Sequence, residues 1–569
     1  MRFHRSSLIL LPFLAVFAAA AQTPPDTNAT TADAGEARAR SNAITTNDVL
    51  VAEKLIGLDL PEDKINMMLR GLRDQQRDYA VIRKIGVSNS VMPAVLFNPI
   101  PTGMTFETNR FKPEWSPVPD LAVPANLEDA AFYSVGQLGA LIKSRKITST
   151  QLTQMYLARL KKYGPKINCV VTLMEDSALE QARLADREIA GGKYRGPLHG
   201  IPYGVKDLLA TKGTRTTWGG APYTNQMFDD DATVVKRLNA AGAVLVAKLS
   251  LGELAMGDVW YGGQTHNPWA ITDGSSGSSA GPASATSAGL VGFSIGSETR
   301  GSIVSPCTVC GVTGLRPSYG RVSRTGAMAL SWTMDKLGPI CRTVEDCAIA
   351  FNAIYGPDGL DQTVYDVPFN YDPKVNLKKL RIGYLKTDFE NEKGERKEHD
   401  DAALQKMRAL GVELIPVELP DSPLGAISFV LSTEGAAAFE DLTSSGREDL
   451  LKQQGSGAWP NSFREKRFIP AVEYIQAQRV RYLLIQDTAK IFDRVDLFLA
   501  PSQSGKSLVL SNLTGHPCVV LPDGFTKAGT PTSICFIGKL FGEAEILAVA
   551  KAYQDATDFH RKHPVVGNW

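Results

Sequence analysis

Gln264-Thr265-His266-Asn267-Pro268-Trp269-Ala270-Ile271-Thr272-Asp273-Gly274-Ser275-Ser276-Gly277-Ser278-Ser279-Ala280-Gly281-Pro282, followed by Gly296-Ser297-Glu298-Thr299-Arg300-Gly301-Ser302-Ile303, concentrates serine and glycine in a chain of otherwise ordinary composition. Hydroxyls on a backbone that glycine leaves free to turn suggest a nucleophile and its donors. Small residues from Pro282 to Ala288, with proline near the first position, predict a helix whose free N–H groups point back at Ser278 and Ser279. Leu290 to Ile295 is predicted as a buried strand. Gly296 to Ser302 is then a tight turn that delivers a further serine and lets successive N–H groups converge, as an oxyanion site requires.

These two segments resemble the amidase signature family, in which a serine-rich Gly-Ser-Ser-Gly-Gly segment precedes a Gly-Thr-Asp-x-Gly-Gly-Ser-Ile-like turn. Two registers are open for the first serine, Ser275 or Ser278. The family places its two key serines 24 positions apart and its Asn-Pro 11 positions before the first. Ser278 lies 24 before Ser302 and 11 after Asn267, whereas Ser275 lies 27 before Ser302. Both spacings select Ser278.

Upstream, Gly200-Ile201-Pro202-Tyr203-Gly204-Val205-Lys206-Asp207 ends an apolar run on a lysine, and it is similar to the family element that carries a catalytic lysine. The resemblance thus implies Lys206, Ser278 and Ser302 as catalytic residues and the backbone N–H groups of Thr299, Arg300, Gly301 and Ser302 as the oxyanion hole. Ser302 is implied as nucleophile, Ser278 as proton relay and Lys206, held neutral, as base. No metal or organic cofactor is called for. Arg300 stands where the family commonly has another residue, so its guanidinium is expected either to favour a carboxylate-bearing substrate or to occlude the cleft.

Resemblance continues from about Leu127 to 565 and implies an α/β amidase signature fold, a central mixed β-sheet covered by helices on both faces, with a small helical N-terminal segment. Two amphipathic helices after Tyr133 and Thr148, a strand at Asn168, a capped helix after Asp229 and a strand from Val244 to Leu249 fit that alternation. The charged region 380 to 480 is expected to be helical, to lie over the cleft and to shape the substrate pocket.

The N-terminal part is of a different kind. Residues 1–21 have the charged, apolar and small-residue parts of a signal peptide, predicting a periplasmic or secreted protein. Residues 22–41 are a linker with almost no large apolar side chain. Thr46-Asn47-Asp48 caps one predicted helix and Pro61 opens a second, after which Asn89 to Pro99 is an extended apolar strap. Too small for a core of its own, the stretch 42–125 is expected to wrap the amidase body of 126–569; it resembles the small C subunit of the tRNA-dependent amidotransferase.

Net charge is +1, from 61 basic and 60 acidic residues, so no nucleic-acid partner is implied. The apolar leader is too short for a permanent membrane anchor, so no integral membrane segment is expected after its removal. Seven scattered cysteines look like buried small hydrophobes instead of a disulfide framework. Asn28-Ala29-Thr30 and Asn512-Leu513-Thr514 fit a glycosylation sequon. The function implied is hydrolysis of a C–N amide bond in a small-molecule or peptide amide. Two other classes stay open: a serine esterase, since Gly277-x-Ser279-x-Gly281 fits a nucleophile elbow and His399, His516, His560 and His563 remain available, and a non-catalytic binding protein on an amidase scaffold.

Overall fold

A computed structural model describes residues 44–567, which divide into two units after Ile85. The leader of 1–21, the linker of 22–41 and the Asn28 sequon lie outside the described residues. In the first unit, helix α1 (Thr46–Ile56) is capped by Thr45, whose hydroxyl accepts from the Asp48 N–H while Asp48 accepts from the Thr45 N–H at 2.8 Å. Helix α2 (Glu62–Ile85) follows, and Arg73 reaches back to the Ile44 carbonyl at 2.7 Å.

The second unit is built on one mixed eleven-stranded sheet. Its strands are β1 (Val170–Leu173), β2 (Pro202–Lys206), β3 (Val244–Leu249), β4 (Phe293–Glu298), β5 (Thr313–Arg316), β6 (Lys336–Cys341), β7 (Ile382–Leu385), β8 (Leu414–Val417), β9 (Leu497–Pro501), β10 (Cys518–Phe525) and β11 (Pro531–Gly538). They lie in the order β1-β3-β2-β4-β6-β5-β10-β11-β9-β7-β8. Strands β3, β2 and β4 run parallel, β6 returns antiparallel beside β4, and the far edge β9-β7-β8 is parallel again.

Alternation along β10 shows why both faces are covered. Val519 and Leu521 join the cluster that includes Val344, Ile546 and Leu547, from helices Val344–Ile354 and Glu543–Asp555. Cys518 and Val520 join the cluster of Ala283, Val304 and Cys307, from α3 (Ala280–Ser287) and α4 (Val304–Cys310). Side chains two apart share a face, so the strand is buried on both sides. All residues of β2, β3, β4 and β6 are buried. The seven cysteines are free and buried, as small apolar side chains would be.

Several expectations shift. Helix α3 starts at Ala280, two residues before its proline, and β4 begins at Phe293 instead of Leu290, because Gly292 donates to the Pro202 carbonyl and turns the chain into the sheet. Ala270–Gly274 is a short strand, paired only with His266–Asn267. Region 380 to 480 is mainly helical but also supplies β7 and β8, whose apolar side chains extend the sheet edge. Residues 86–125 group with the larger unit.

Packing at the sheet centre is tight enough to test. A Cβ on Gly338 of β6 would lie 2.0 Å from the Leu315 carbonyl oxygen, whereas one on Gly425 would meet nothing within 4 Å. Gly338→Ala is expected to lower the melting temperature or abolish soluble expression while Gly425→Ala leaves the melting temperature unchanged, both read by thermal shift.

Candidate active site

Strands β2 and β4 are parallel neighbours, Val205 opposite Ile295, so Lys206 and the pair Ser297-Glu298 emerge together at their carboxyl ends. Crevices outside the carboxyl ends of parallel strands are where ligands bind in open α/β sheets. Strand β6 starts at the same end, with Lys336 opposite Glu298.

Lys206 is fully buried and its amine is surrounded by hydroxyls. Nζ lies 2.8 Å from Ser278 Oγ, 2.9 Å from Ser297 Oγ and 3.1 Å from Ser279 Oγ. No carboxylate is within ion-pair reach among the described residues. Burial holds Lys206 well below the usual lysine range, against the opposing pull of Asp335 and Glu298. Ser279 Oγ also donates to the Ser297 carbonyl at 3.0 Å and accepts from the Ser297 N–H at 3.1 Å, tying the serine-rich segment to the end of β4. The peptide bond between Gly277 and Ser278 is cis.

Ser302 sits on the turn between β4 and α4. Its carbonyl accepts from the Ser279 N–H at 3.1 Å, which holds the two serine segments side by side. The Ser302 hydroxyl makes no hydrogen bond among the described residues. Lys206 and Ser278 are therefore joined directly, whereas the predicted link from Ser278 to Ser302 is not made as a hydrogen bond here. Catalytic hydrogen bonds often tighten only when substrate is bound.

Turn geometry follows from Glu298. Its Oε2 accepts from the Ile303 N–H at 2.8 Å and the Val304 N–H at 2.9 Å, while Oε1 accepts from Arg316 and Asn512, each at 2.8 Å. Burial alone would raise this carboxyl, but Arg316 and these hydrogen bonds outweigh it and hold Glu298 at about 2. With the N–H groups of 303 and 304 drawn to Glu298, those of Thr299, Arg300, Gly301 and Ser302 donate to no protein acceptor among the described residues. Gly301 has φ of 93°, a conformation that suits glycine and turns this run of donors. Thr299 is fixed by its hydroxyl, 2.6 Å from Asp335 Oδ1. Arg300 is exposed and its guanidinium makes no side-chain hydrogen bond among the described residues.

Sequence reasoning did not assign Glu298, Ser297, Arg316 or Asp335 to the site. Asn512 fits a sequon, yet it is buried and bonded to Glu298. The neighbourhood of Ser279 does not fit a nucleophile elbow: its hydroxyl is engaged by Lys206 and Ser297, and no histidine touches it among the described residues. His516 is buried against Phe492 and held at about 3 by burial and then Arg316, and His399 pairs with Thr532. Among the described residues there is no group of three or more His, Cys, Asp or Glu that could hold a metal ion.

Residues 151–547 match the Amidase family, and the chain belongs to it. It is an enzyme of the amidase signature class. It is 34% identical over 480 residues to the A subunit of glutamyl-tRNA(Gln) amidotransferase from Geobacter metallireducens, covering 75% of this chain and 98% of that one. The corresponding A subunit from Geobacillus kaustophilus is 34% identical over 484 residues, covering 76% and 99%. Among solved structures, native peptide amidase from Stenotrophomonas maltophilia superposes with a TM-score of 0.68 at 30% identity, covering 78% of this chain and all of that one. The similarity to A subunits of glutamyl-tRNA(Gln) amidotransferase overturns the expected periplasmic or secreted location. No described helix is long and apolar enough to cross a membrane.

Removing one partner of the buried Glu298–Arg316 pair leaves an uncompensated charge, worth about 3–5 kcal/mol. Glu298→Ala is expected to lower the melting temperature correspondingly, and adding Arg316→Met should recover part of the loss. Equal melting temperatures for wild type and Glu298→Ala would contradict this account of the turn.

Proposed function

We propose that this chain is an amidohydrolase that cleaves a C–N amide bond through an acyl-enzyme on Ser302. The observation that carries the reading is the buried Lys206 amine 2.8 Å from the Ser278 hydroxyl, with no carboxylate in ion-pair reach among the described residues.

A neutral Lys206 takes the proton of Ser278 Oγ as Ser278 takes that of Ser302 Oγ, and Ser302 Oγ bonds to the substrate carbonyl carbon. The carbonyl oxygen becomes an oxyanion, which would accept from the free N–H groups of Thr299, Arg300, Gly301 and Ser302. One such donor is worth about 3 to 4 kcal/mol. The Lys206 ammonium then returns its proton through Ser278 to the amide nitrogen, the C–N bond breaks and the amine departs. Water repeats the relay on the acyl-enzyme and releases the acid. A scaffold used only for binding would have no need of a buried amine desolvated among three hydroxyls.

A second reading follows from the identity to amidotransferase A subunits: the same first half-reaction on glutamine would supply ammonia to another acceptor. Glutamine therefore belongs in the substrate panel beside peptide, aliphatic and aryl amides.

Ser302→Ala is expected to abolish ammonia or amine release, and a fluorophosphonate should label Ser302. Label on Ser279 would replace this reading with the esterase one. Because only neutral Lys206 accepts a proton, kcat/KM should rise with pH through an ionisation well below the ordinary lysine value, and Lys206→Ala should lose about 100- to 10,000-fold. A Lys206→Ala variant that kept the wild-type rate and pH profile would reject Lys206 as the base.

A further inference from the structure

A cavity of about 550 Å³ opens beside the site, with Ser297, Thr299 and Asp335 among its lining residues. That volume lies within the range of small-molecule pockets. Its body side carries an apolar stretch of Leu208, Met328, Leu330 and Trp332, flanked by the polar groups of Arg324, Asp335 and Asp361. The opposite side comes from Met92 and Leu96 of the strap, not from the 380–480 region expected to shape the pocket.

The strap is fixed at its two ends and free between them. At one end Asn89 Nδ2 donates to the Ala329 carbonyl at 2.8 Å and its Oδ1 accepts from the Ala329 N–H at 2.9 Å, pairing like a backbone amide. At the other, Phe97 meets the edge of Tyr319 with centroids 5.1 Å apart, and the Arg481 guanidinium lies 3.6 Å from its ring centre. Residues 92 to 96 make no hydrogen bond among the described residues. Val95 faces outward, 84% exposed, while Met92 is half-buried over the void. Interiors are close-packed, so a space of this size, mainly apolar and beneath a two-point strap, is a place for a ligand group and not a packing remnant.

We propose that residues 89–96 form a specificity-determining wall, so that the enzyme prefers amides carrying an extended apolar group, alkyl or aryl, that lies between Met92 and Leu96 on one side and Met328, Leu330 and Trp332 on the other. Asn89 is the positioning residue of that wall. The strap precedes the part of the chain that matches the family, so the selectivity belongs to this chain's own N-terminal sequence. The inference rests on the amidohydrolase reading for its chemistry, though the cavity can be tested apart from it.

Two substrate series decide the matter: primary amides from acetamide to octanamide, and N-alkyl acetamides from methyl to octyl. In one of them kcat/KM should rise with chain length, since each added methylene in a fitting pocket is worth about tenfold or more. Met92→Trp, which fills the cavity, and Asn89→Ala, which releases the strap, should each cut the long-to-short ratio by about tenfold or more, mainly through KM. Val95→Trp, on the outer face, should leave the ratio as it is. The wall is disproved if neither series shows selection or if Met92→Trp retains it. Should fluorophosphonate fail to label Ser302 and no amide turn over, the chemical reading falls, and calorimetric binding of octanamide then tests the wall: binding by wild type that Met92→Trp loses supports it, and equal binding or none overturns it.

Discussion

Everything at the site depends on where an amine loses its water. Three lysines are buried in the sheet region, Lys206, Lys248 and Lys336, and desolvation depresses all three. Lys248 keeps a carboxylate, Asp207 at 2.9 Å, with Thr216 Oγ1 at 2.6 Å, so the charged pair remains intact. Lys336 turns to the Met334 carbonyl. Lys206 meets serine hydroxyls, which solvate an amine without holding its charge in place. Burial depresses Lys206 and Lys336 alike, and what separates Lys206 from both neighbours is that its partners are hydroxyls that can exchange protons, not a carboxylate or a carbonyl.

The same economy of charge shapes the turn that carries Ser302. Glu298 is buried, yet Arg316, Asn512 and two backbone N–H groups together keep it ionised. Because those N–H groups belong to residues 303 and 304, the four before them are left pointing at no acceptor. Unpaired backbone donors are costly when buried, and they persist here because the ion pair below them fixes the turn. The free N–H groups at 299–302, where oxyanion donors were expected, therefore follow from a carboxylate one residue upstream.

How much of this was legible in the chain depended on whether the signal was local. The spacings from Asn267 to Ser278 to Ser302, and the apolar run ending at Lys206, place the amine beside its hydroxyls because each is carried by one strand end or one turn. Glu298 stood in the quoted motif but gave no sign of its role, since its partners Arg316 and Asn512 lie 18 and 214 positions away and are joined only by sheet order. Asn512 misled for the same reason: a three-residue sequon carries no information about burial. Element starts slipped by two residues at helix α3 (Ala280) and by three at strand β4 (Phe293), where at the strand the sheet entry and not propensity sets the boundary. The charged 380–480 region was the expected pocket wall, whereas the strap at 89–96, recognised as apolar and extended, was the segment with surface to hide.

That last point bears on how one fold serves different amides. Lys206, Ser278 and Ser302 sit at a strand end and on turns within the part of the chain that matches the family, and the proposed relay depends on their spacing. The strap is held by a single asparagine amide and one aromatic cluster, with no ladder hydrogen bonds between. Its side chains can change without disturbing the strands beneath, because nothing in the sheet depends on them for a backbone partner. Chemistry and selectivity are thus carried by parts of the chain with different tolerance to change, and the part that selects is the one that the matched family region does not include.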